Sequence, residues 1–389
     1  MTATVQNPAD HPAEVRGAST WGVSWSGLRT VAALELRQRV RSTRWIIVLV
    51  VWFVVLLALT LLVRSAVHST LSPADEGLGV SSKQVDEYAA ASVFGIVVFL
   101  VLALGGLVAP ALTATSINGD RSAGVLAALQ TTLLTPAEIA LGKLLAAWVT
   151  SMALLATALP VLGWAYLGGG TPVTRLLTTL AVLALTLLVV CAIGLGWSAV
   201  AARTSSSTVL TYLSVIFLGL GLPILFAVTA PLVQETTTRQ VRQLGPDEVD
   251  ANGNPTGPGE CVTTTEERTE FRTDRTWWLL AVNPFVVVAD SAPTVRMTGV
   301  FGIGDPLTAI HDGVRELRLG PEPAFDECSR SEEAFREAER RRRQSADALP
   351  ATWPYGLAGD LAIGAAFTLL AVRRLRAPAR TLPRGTRVA

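Results

Sequence analysis

Long apolar stretches separated by short polar ones dominate the first 232 residues of the chain, and one further apolar stretch lies near its end. A helix of about 20 apolar residues is long enough to cross the roughly 30 Å hydrocarbon core of a bilayer. Six stretches approach this length. The predicted spans, numbered one to six, run approximately over residues 45–63, 89–113, 144–167, 176–199, 209–232 and 355–372.

The composition agrees with this pattern. Half of the residues are hydrophobic, only 16% are charged, and the mean hydropathy is +0.44, values that are ordinary for a polytopic membrane protein and unusual for a soluble domain. We therefore predict an all-α polytopic membrane protein with six transmembrane helices. A basic amphipathic helix precedes the first span, and a large extracytoplasmic segment separates the fifth span from the sixth.

The placement of basic residues predicts the orientation, because cytoplasmic flanks carry an excess of Arg and Lys. Both termini are predicted to be cytoplasmic, in the plasma membrane of a bacterium. The arginines at 340–343 would lie outside, but long translocated loops are exempt from this rule. The basic residues on the predicted inner side are Arg29, Arg37, Arg39, Arg41, Arg44, Arg121, Lys143, Arg203, Arg373, Arg374, Arg376, Arg380, Arg384 and Arg387.

The region before span one divides into a disordered stretch, residues 1–19, and a helix over residues 20–44. Apolar residues recur there at steps of three and four, while arginines occupy other positions. This pattern predicts a helix lying on the inner membrane surface with its arginines toward anionic headgroups. A simple positive-inside stop signal is the alternative. The residues assigned to the membrane surface are Trp21, Trp25, Arg37, Arg41 and Arg44.

Residues 233–354 form the predicted extracytoplasmic segment, and residues 373–389 form a basic cytoplasmic tail. Within the outer segment, residues 277–289 are apolar but too short to span, and Asn283-Pro284 interrupts them. They predict a re-entrant or interfacial hairpin, or else part of the core of an outer domain. Cys261 and Cys328 lie in an oxidising compartment on this assignment, so they are candidates for a disulfide, with two free thiols as the alternative.

Residues 117–143, between spans two and three, are too polar for lipid and carry strong helix signals. Val125, Leu126 and Leu129 share one face of a helix predicted over residues 121–132. After a turn, Thr135 caps the next helix, Pro136 takes its first position and Glu138 completes a capping box. Span three thus begins with a stiff extension, and a push on the preceding helix would reach spans two and three.

This segment, together with the six-span layout and the basic helix before span one, resembles the membrane permease subunits of type-2 ABC exporters of drugs, polysaccharides and antibiotics. The resemblance implies that a groove in an ATPase subunit receives the segment and that the subunit also touches the helix at 20–44. The groove-facing residues it implies are Asp120, Arg121, Ser122, Gly124, Leu126 and Leu129. Val125, Thr135, Pro136 and Glu138 complete the predicted coupling segment.

The same resemblance implies the partners and the direction of transport. Two ATPase subunits and a second permease copy or a paralogue would assemble with this chain in the lipid bilayer, without nucleic acid. No cofactor is expected in this chain, while ATP and magnesium would bind to the ATPase. The cargo would move outward, and the near absence of ionisable residues from the spans favours an amphiphilic or apolar cargo.

Catalytic motifs are missing from the sequence, so we predict that the chain is not an enzyme. Gly142-Lys143 lacks the upstream glycine and the Ser or Thr of a phosphate-binding GxxxxGK[ST] loop. A secondary transporter is less favoured, because Asp360 is the only ionisable residue well inside a predicted span. For Asp360 a partly wet interfacial carboxylate is favoured over a proton relay. A membrane scaffold or sensor with a ligand-binding outer segment is the remaining alternative.

Flexible and polar residues in spans two and five are candidates for lining a transport pathway. Pro223 removes a backbone hydrogen bond and should kink its helix, and glycines allow close helix approach. Ordinary packing of membrane helices would explain the same residues. The candidates are Gly105, Pro110, Tyr212, Ser214, Gly219, Gly221, Pro223 and Thr229.

Overall fold

The structure is a computed structural model that describes residues 21–40, 43–70, 81–125, 134–169, 172–244, 261–294, 305–321, 324–326 and 332–376. The predicted disordered stretch 1–19, most of the tail at 373–389 and Cys328 lie outside these residues. The predicted disulfide between Cys261 and Cys328 therefore remains a prediction.

Within the described residues, six helices are long and apolar enough to cross a membrane, which confirms the predicted number. Two further helices, α1 and α4, precede spans one and three. In chain order these helices are α1 Trp25–Val40, span one (α2 Thr43–Thr70), span two (α3 Ser82–Thr113), α4 Asn118–Ser122, span three (α5 Pro136–Gly169) and span four (α6 Val173–Val200). Span five consists of α7 Thr204–Ile216, a π-helical turn Phe217–Gly221 and α8 Leu222–Thr229. Span six is α13 Trp353–Arg374, and the helices α9 to α12 lie between spans five and six.

Spans two, three and four form the centre of the bundle. About half of the apolar window of each is buried, against 17% for spans one and five. Val98 of span two, Leu154 of span three and Leu183 of span four are each 0% exposed and belong to one apolar cluster. Span six packs along span four, and span one lies against spans two and three. The outward faces of spans one and five remain apolar, as lipid contact requires.

A three-stranded sheet follows span five and was not predicted. β1 Gln234–Leu244 pairs antiparallel with β2 Cys261–Phe271, and β3 Ala324–Asp326 lies parallel to β1 on its other edge. Both long strands are rich in Thr, whose β-branched side chain favours extended backbone. The turn-rich residues between them are the hairpin signal that the sequence contained. The chain is nevertheless mainly helical, as predicted.

The apolar segment at 277–289 folds into two short helices, α9 Trp278–Ala281 and α10 Pro284–Ser291. Asn283 caps α10, with Oδ1 accepting from the backbone nitrogens of Phe285 at 2.8 Å and Val286 at 3.4 Å. Val287 and Val288 are 0% exposed and belong to the same apolar cluster as spans two to four. The segment is thus part of the core of the helix bundle, rather than the core of a separate outer domain.

Two more helices, α11 Pro306–Leu319 and α12 Glu332–Asp347, complete the outer segment. Asp290 of α10 joins them to span six, and we call Asp290, His311, Arg315 and Thr352 the aspartate cluster. Asp290 Oδ1 accepts from Arg315 Nε at 3.1 Å, and Oδ2 accepts from the backbone nitrogens of Thr352 at 2.6 Å and Trp353 at 3.0 Å. His311 Nδ1 lies 3.4 Å from the same Oδ1.

The surroundings of Asp290 favour the charged carboxylate despite its burial. Burial alone raises the pKa of Asp290, but the backbone N–H of Trp353, the positive charge of Arg315 and the bonds from Thr352 outweigh it and hold that pKa below its usual value. Arg315 also donates through Nη1 to the carbonyls of Ala346, Asp347 and Leu349 at the end of α12. One ion pair therefore connects α10, α11, α12 and the start of span six.

Candidate functional site

The predicted capping box at the start of span three is confirmed. The backbone nitrogen of Thr135 donates to Glu138 Oε2 at 2.8 Å, and Thr135 Oγ1 accepts from the backbone nitrogen of Glu138 at 3.2 Å. Span three begins at Pro136, whose missing N–H leaves no unpaired donor at that position. The extension of span three therefore starts where the sequence predicts.

Glu138 also caps a second helix, which the sequence did not indicate. Its Oε1 accepts from the backbone nitrogen of Ser24 at 2.8 Å and from Ser24 Oγ at 2.6 Å. Ser24 Oγ in turn accepts from the backbone nitrogen of Gly27 at 3.0 Å in the first turn of α1. Glu138 is only 4% exposed. Its carboxylate therefore connects the beginnings of α1 and span three by buried hydrogen bonds.

One turn further along span three, Lys143 makes the central ionic contact of the site. Its side chain is 2% exposed and lies 2.5 Å from Asp120 Oδ2 of α4, and it donates to Glu35 Oε1 of α1. A buried cation is costly unless it is closely paired, so both carboxylates are needed to compensate its desolvation. Lys143 therefore ties α4 and α1 to span three.

Arg39 extends this contact to span two. It lies 3.9 Å from Glu35 Oε2, and it donates to the carbonyl of Leu112 at 3.2 Å and to Thr150 Oγ1 at 3.3 Å. Burial lowers the pKa of the Arg39 guanidinium, and the charge of Glu35 opposes this. We call Glu35, Arg39, Asp120 and Lys143 the lysine cluster. It joins α1, α4 and spans two and three.

Close packing supports the lysine cluster. A Cβ at Gly142 would lie 2.6 Å from Val31 Cβ, so only glycine allows α1 to approach span three this closely. Val31 and Ala32 are 4% and 5% exposed on the contacting face of α1. The side of α1 that packs on the bundle therefore includes Glu35 and Arg39, rather than only the apolar residues of the predicted stripe.

The predicted membrane-surface residues that the structure describes are exposed. Trp25 is 74% exposed and Trp21 46% exposed, and Arg37 is exposed as well. Arg41 lies outside the described residues, and the side chain of Arg44 is likewise not described. Contact of this surface with lipid headgroups remains a prediction.

The helix predicted over residues 121–132 is wrong at its beginning. The structure has a five-residue helix, α4, that starts at Asn118 and ends at Ser122, and Gly124 follows it with a φ of 73°, a left-handed conformation that breaks a helix. Span four holds the start of α4, because Ser198 Oγ accepts from the backbone nitrogens of Ile117 at 2.9 Å and Asn118 at 3.2 Å.

The predicted coupling residues thus separate into two sets. Asp120 is turned toward Lys143, and Thr135, Pro136 and Glu138 form the cap of span three. Ser122, Gly124 and Val125 are exposed, and Arg121 is half-buried. Leu126 and Leu129 lie outside the described residues. Contact of any of them with a partner remains a prediction.

Pro223 disturbs span five in a specific way. It has no N–H to donate to the carbonyl of Gly219, four residues earlier, and a π-helical turn, Phe217–Gly221, precedes it. Asn283 Nδ2 donates to that carbonyl at 2.8 Å. The α9–α10 segment therefore supplies the hydrogen bond that proline removes from span five.

Three of the remaining pathway candidates make contacts between helices of the chain. A Cβ at Gly105 would lie 2.5 Å from Leu187 Cδ2, so this glycine brings spans two and four together. Tyr212 donates to the carbonyl of Leu107 at 3.0 Å, and Ser214 Oγ accepts from Trp197 Nε1 at 2.9 Å. The other three candidates lie within spans two and five and make no hydrogen bond to another helix among the residues that the structure describes. They are Pro110, Gly221 and Thr229.

The sequence contained signals for residues that sequence reasoning missed. Glu35 is the only acidic residue among the arginines of residues 29–44, and Lys143 is one of only two lysines in the chain. An isolated charge of opposite sign indicates a specific partner, although it does not identify that partner. Ser24, Ser198 and Asn283 carried no comparable signal.

The chemistry of the site is structural and mechanical. Among the residues that the structure describes, no group of three or more His, Cys, Asp or Glu residues could hold a metal ion. The charged groups of the lysine cluster neutralise one another and connect helices. Ser122 at the end of α4, and Gly124 and Val125 just after it, form an exposed surface next to this cluster.

Comparison with known proteins agrees with this architecture. The sequence model of a family described as ABC-2 family transporter protein matches residues 29–299, which include spans one to five, α1 from its second turn, α4 and the α9–α10 segment. A search of curated proteins found no match. The matched range is more than half of the chain and contains the whole lysine cluster, so the protein belongs to the ABC-2 family of transporters as a multi-pass membrane permease.

Proposed function

We propose that this chain is the membrane-spanning half of an ATP-driven exporter. Two ATPase subunits bind ATP and Mg²⁺ and press on Ser122 at the end of α4 and on Gly124 and Val125, which follow it. The chain pairs with a second copy or a paralogue, and the cargo is amphiphilic or apolar. Both termini lie in the cytoplasm of a bacterium.

The single observation that carries this proposal is the clamp on α4. A helix of five residues is not stable alone in water, so its position depends on its partners. Those partners are Ser198 of span four and Lys143 of span three. A force on α4 is therefore transmitted to the two spans with no flexible connection between them, and through Glu35 it also reaches α1.

The distribution of arginines supports a cytoplasmic location for α4. Arg37 and Arg39 lie on α1, and Arg373 and Arg374 end span six. Leu375 belongs to the same apolar cluster as Ile117 beside α4, so these arginines flank the same end of the bundle. An excess of Arg in short flanks is typical of the cytoplasmic side.

Photo-crosslinking in native membranes tests this proposal. Val125 and Val262 offer a matched pair of positions, since they are 47% and 46% exposed valines on α4's flank and on the outer sheet. We expect a photoreactive residue at Val125 to capture a protein with a GxxxxGK[ST] loop, and the same residue at Val262 not to capture it.

Two results would overturn the proposal. One is the absence of a nucleotide-binding protein from the Val125 adduct when the inserted chain is intact. The other is capture of the ATPase from Val262 instead, which would place α4 outside. The scaffold or sensor alternative gains support if the captured ATPase is not stimulated by the purified permease.

A further inference from the structure

Asp360 is a buried carboxyl group in span six that the coupling contacts do not involve. It lies about 10 Å along the helix from its first residue, Trp353, at 1.5 Å per residue. The residue is 1% exposed, and neither carboxylate oxygen has a hydrogen-bond partner among the residues that the structure describes. A partly wet interfacial carboxylate, the interpretation favoured from the sequence, does not fit this burial.

The helix face that carries Asp360 is tightly packed. Gly356 lies one turn before it, and a Cβ at that position would be 1.9 Å from the carbonyl oxygen of Ala281 in α9. Gly364 lies one turn after it, where a Cβ would be 3.3 Å from Val189 of span four. This face is therefore held between α9 and span four.

The elements packed against span six offer no partner charge. Span six contacts span four, α9, α10 and span three. Asp290 is engaged at the start of span six with Thr352 and Trp353, and Lys143 belongs to the lysine cluster near the other end. No titratable residue occurs in α9. The titratable residues of the other neighbours and of span six itself are Arg175 and Cys191 of span four, Asp290 of α10, Glu138, Lys143 and Tyr166 of span three, and Tyr355, Arg373 and Arg374 of span six.

A carboxylate in such a place is strongly disfavoured, because an ionised group without partners loses its hydration and gains nothing in return. The neutral acid has a much smaller desolvation cost. Ionisable groups inside the membrane are expensive, and a proton is the one cation that needs no additional space.

We propose that Asp360 is a proton-binding site. Its carboxyl group holds a proton while span six is packed against span four and α9, and it releases that proton to water when these helices separate. Proton release then favours the separated arrangement, so the conformational equilibrium of span six depends on pH. This proposal rests on the packing of span six and does not require the ATPase contact at α4.

Infrared difference spectroscopy tests the proposal, because a protonated carboxyl group has a carbonyl-stretching band that an ionised carboxylate lacks. Spectra of the full chain in lipid vesicles are compared with those of Asp360→Asn at about pH 6 and about pH 9. We expect the wild type to show one such band at the lower pH that is missing from the variant and that falls several-fold at the higher pH, as protonation falls. Absence of this band at the lower pH, or an equal band at both, would overturn the proposal.

Asp360→Asn provides a second measurement, because the amide resembles the neutral acid in shape and charge. We expect the variant and the wild type to melt at nearly the same temperature at about pH 4, where the carboxyl group of the unfolded wild type is still largely protonated, and the variant to melt at a higher temperature at about pH 9. A variant that is less stable at both would show that the native carboxylate is charged and paired, and the proposal would fail. Glu316, whose side chain is 63% exposed, is a control carboxyl group, because Glu316→Gln should leave the carbonyl-stretching band at about pH 6 unchanged.

Discussion

The lysine cluster and the aspartate cluster lie at opposite ends of the helix bundle and are built in opposite ways. In the lysine cluster a buried cation meets carboxylate side chains from two other helices, α4 and α1. In the aspartate cluster a buried carboxylate meets two backbone N–H groups at the start of span six as well as Arg315.

This difference has mechanical consequences. Backbone N–H groups at a helix start cannot move apart from the helix, so the aspartate cluster fixes α10 against span six. In the lysine cluster, α4 and α1 are held to span three by ion pairs between side chains, so the three helices can move together as a unit. The lysine cluster is therefore suited to transmitting movement from α4, and the aspartate cluster to resisting it.

The largest effect is expected from Lys143→Met, which removes the buried cation that the partly buried carboxylates of Asp120 and Glu35 share. Breaking a buried ion pair costs about 3–5 kcal/mol, so we expect a large fall in melting temperature and loss of crosslinking from Val125 as α4 loses its position. Thermal unfolding followed by tryptophan fluorescence measures the first, and the crosslinking yield measures the second.

Lys83→Met is the matched control, because Lys83 is the only other lysine and is 85% exposed in a pair with Glu87. It should change stability by less than about 1 kcal/mol. Adding Asp120→Asn to Lys143→Met should recover stability, because Glu35 then keeps Arg39 as its cation and no other charge of the lysine cluster remains. If stability does not recover, the ionic account of the lysine cluster is incorrect.

The second effect is expected from Asp290→Asn in the aspartate cluster. The variant leaves Arg315 buried without its counter-ion, and we expect a loss of about 2–4 kcal/mol at neutral pH. Since the pKa of Asp290 is lowered in the folded protein, the wild-type advantage is present above the unfolded value of about 4 and is lost as the pH falls below it. Melting curves at neutral and acid pH measure both.

Asp290→Asn also tests whether the aspartate cluster and the lysine cluster act independently. We expect Asp290→Asn to leave the crosslinking of Val125 unchanged in membranes where the chain remains folded. A parallel loss of crosslinking would mean that the aspartate cluster and α4 are coupled through span six, and the contrast between a transmitting and a resisting end would not hold.

The smallest effect is expected from Asn283→Asp, which keeps the acceptor that caps α10 and removes the donor to Gly219. Loss of that hydrogen bond should cost about 1–2 kcal/mol. Pro223→Ala restores an N–H to the same carbonyl, so Asn283→Asp should cost less in that background. Additive costs in the double variant would show that Asn283 does not compensate for Pro223.

Local signals in the sequence predicted the helices well. Each predicted span lies within an observed helix or extends beyond one by only a few residues, because an apolar run of sufficient length has few other structures in a bilayer. The cap formed by Thr135, Pro136 and Glu138 was predicted for the same reason, since all of its bonds lie within four residues. The sheet was missed because its strands are polar on both faces and lack a clear alternation.

The sequence by itself determined the six membrane-crossing helices, the beginning of span three and the family to which the chain is similar, because length, hydropathy and capping act over neighbouring residues. Only the tertiary structure decided which charges meet. Glu35 and Lys143 are 108 residues apart, and Asn283 is 64 residues from Gly219. Such pairs form only when helices pack, since burial removes the competing water and makes the partner of each charge and each free carbonyl specific.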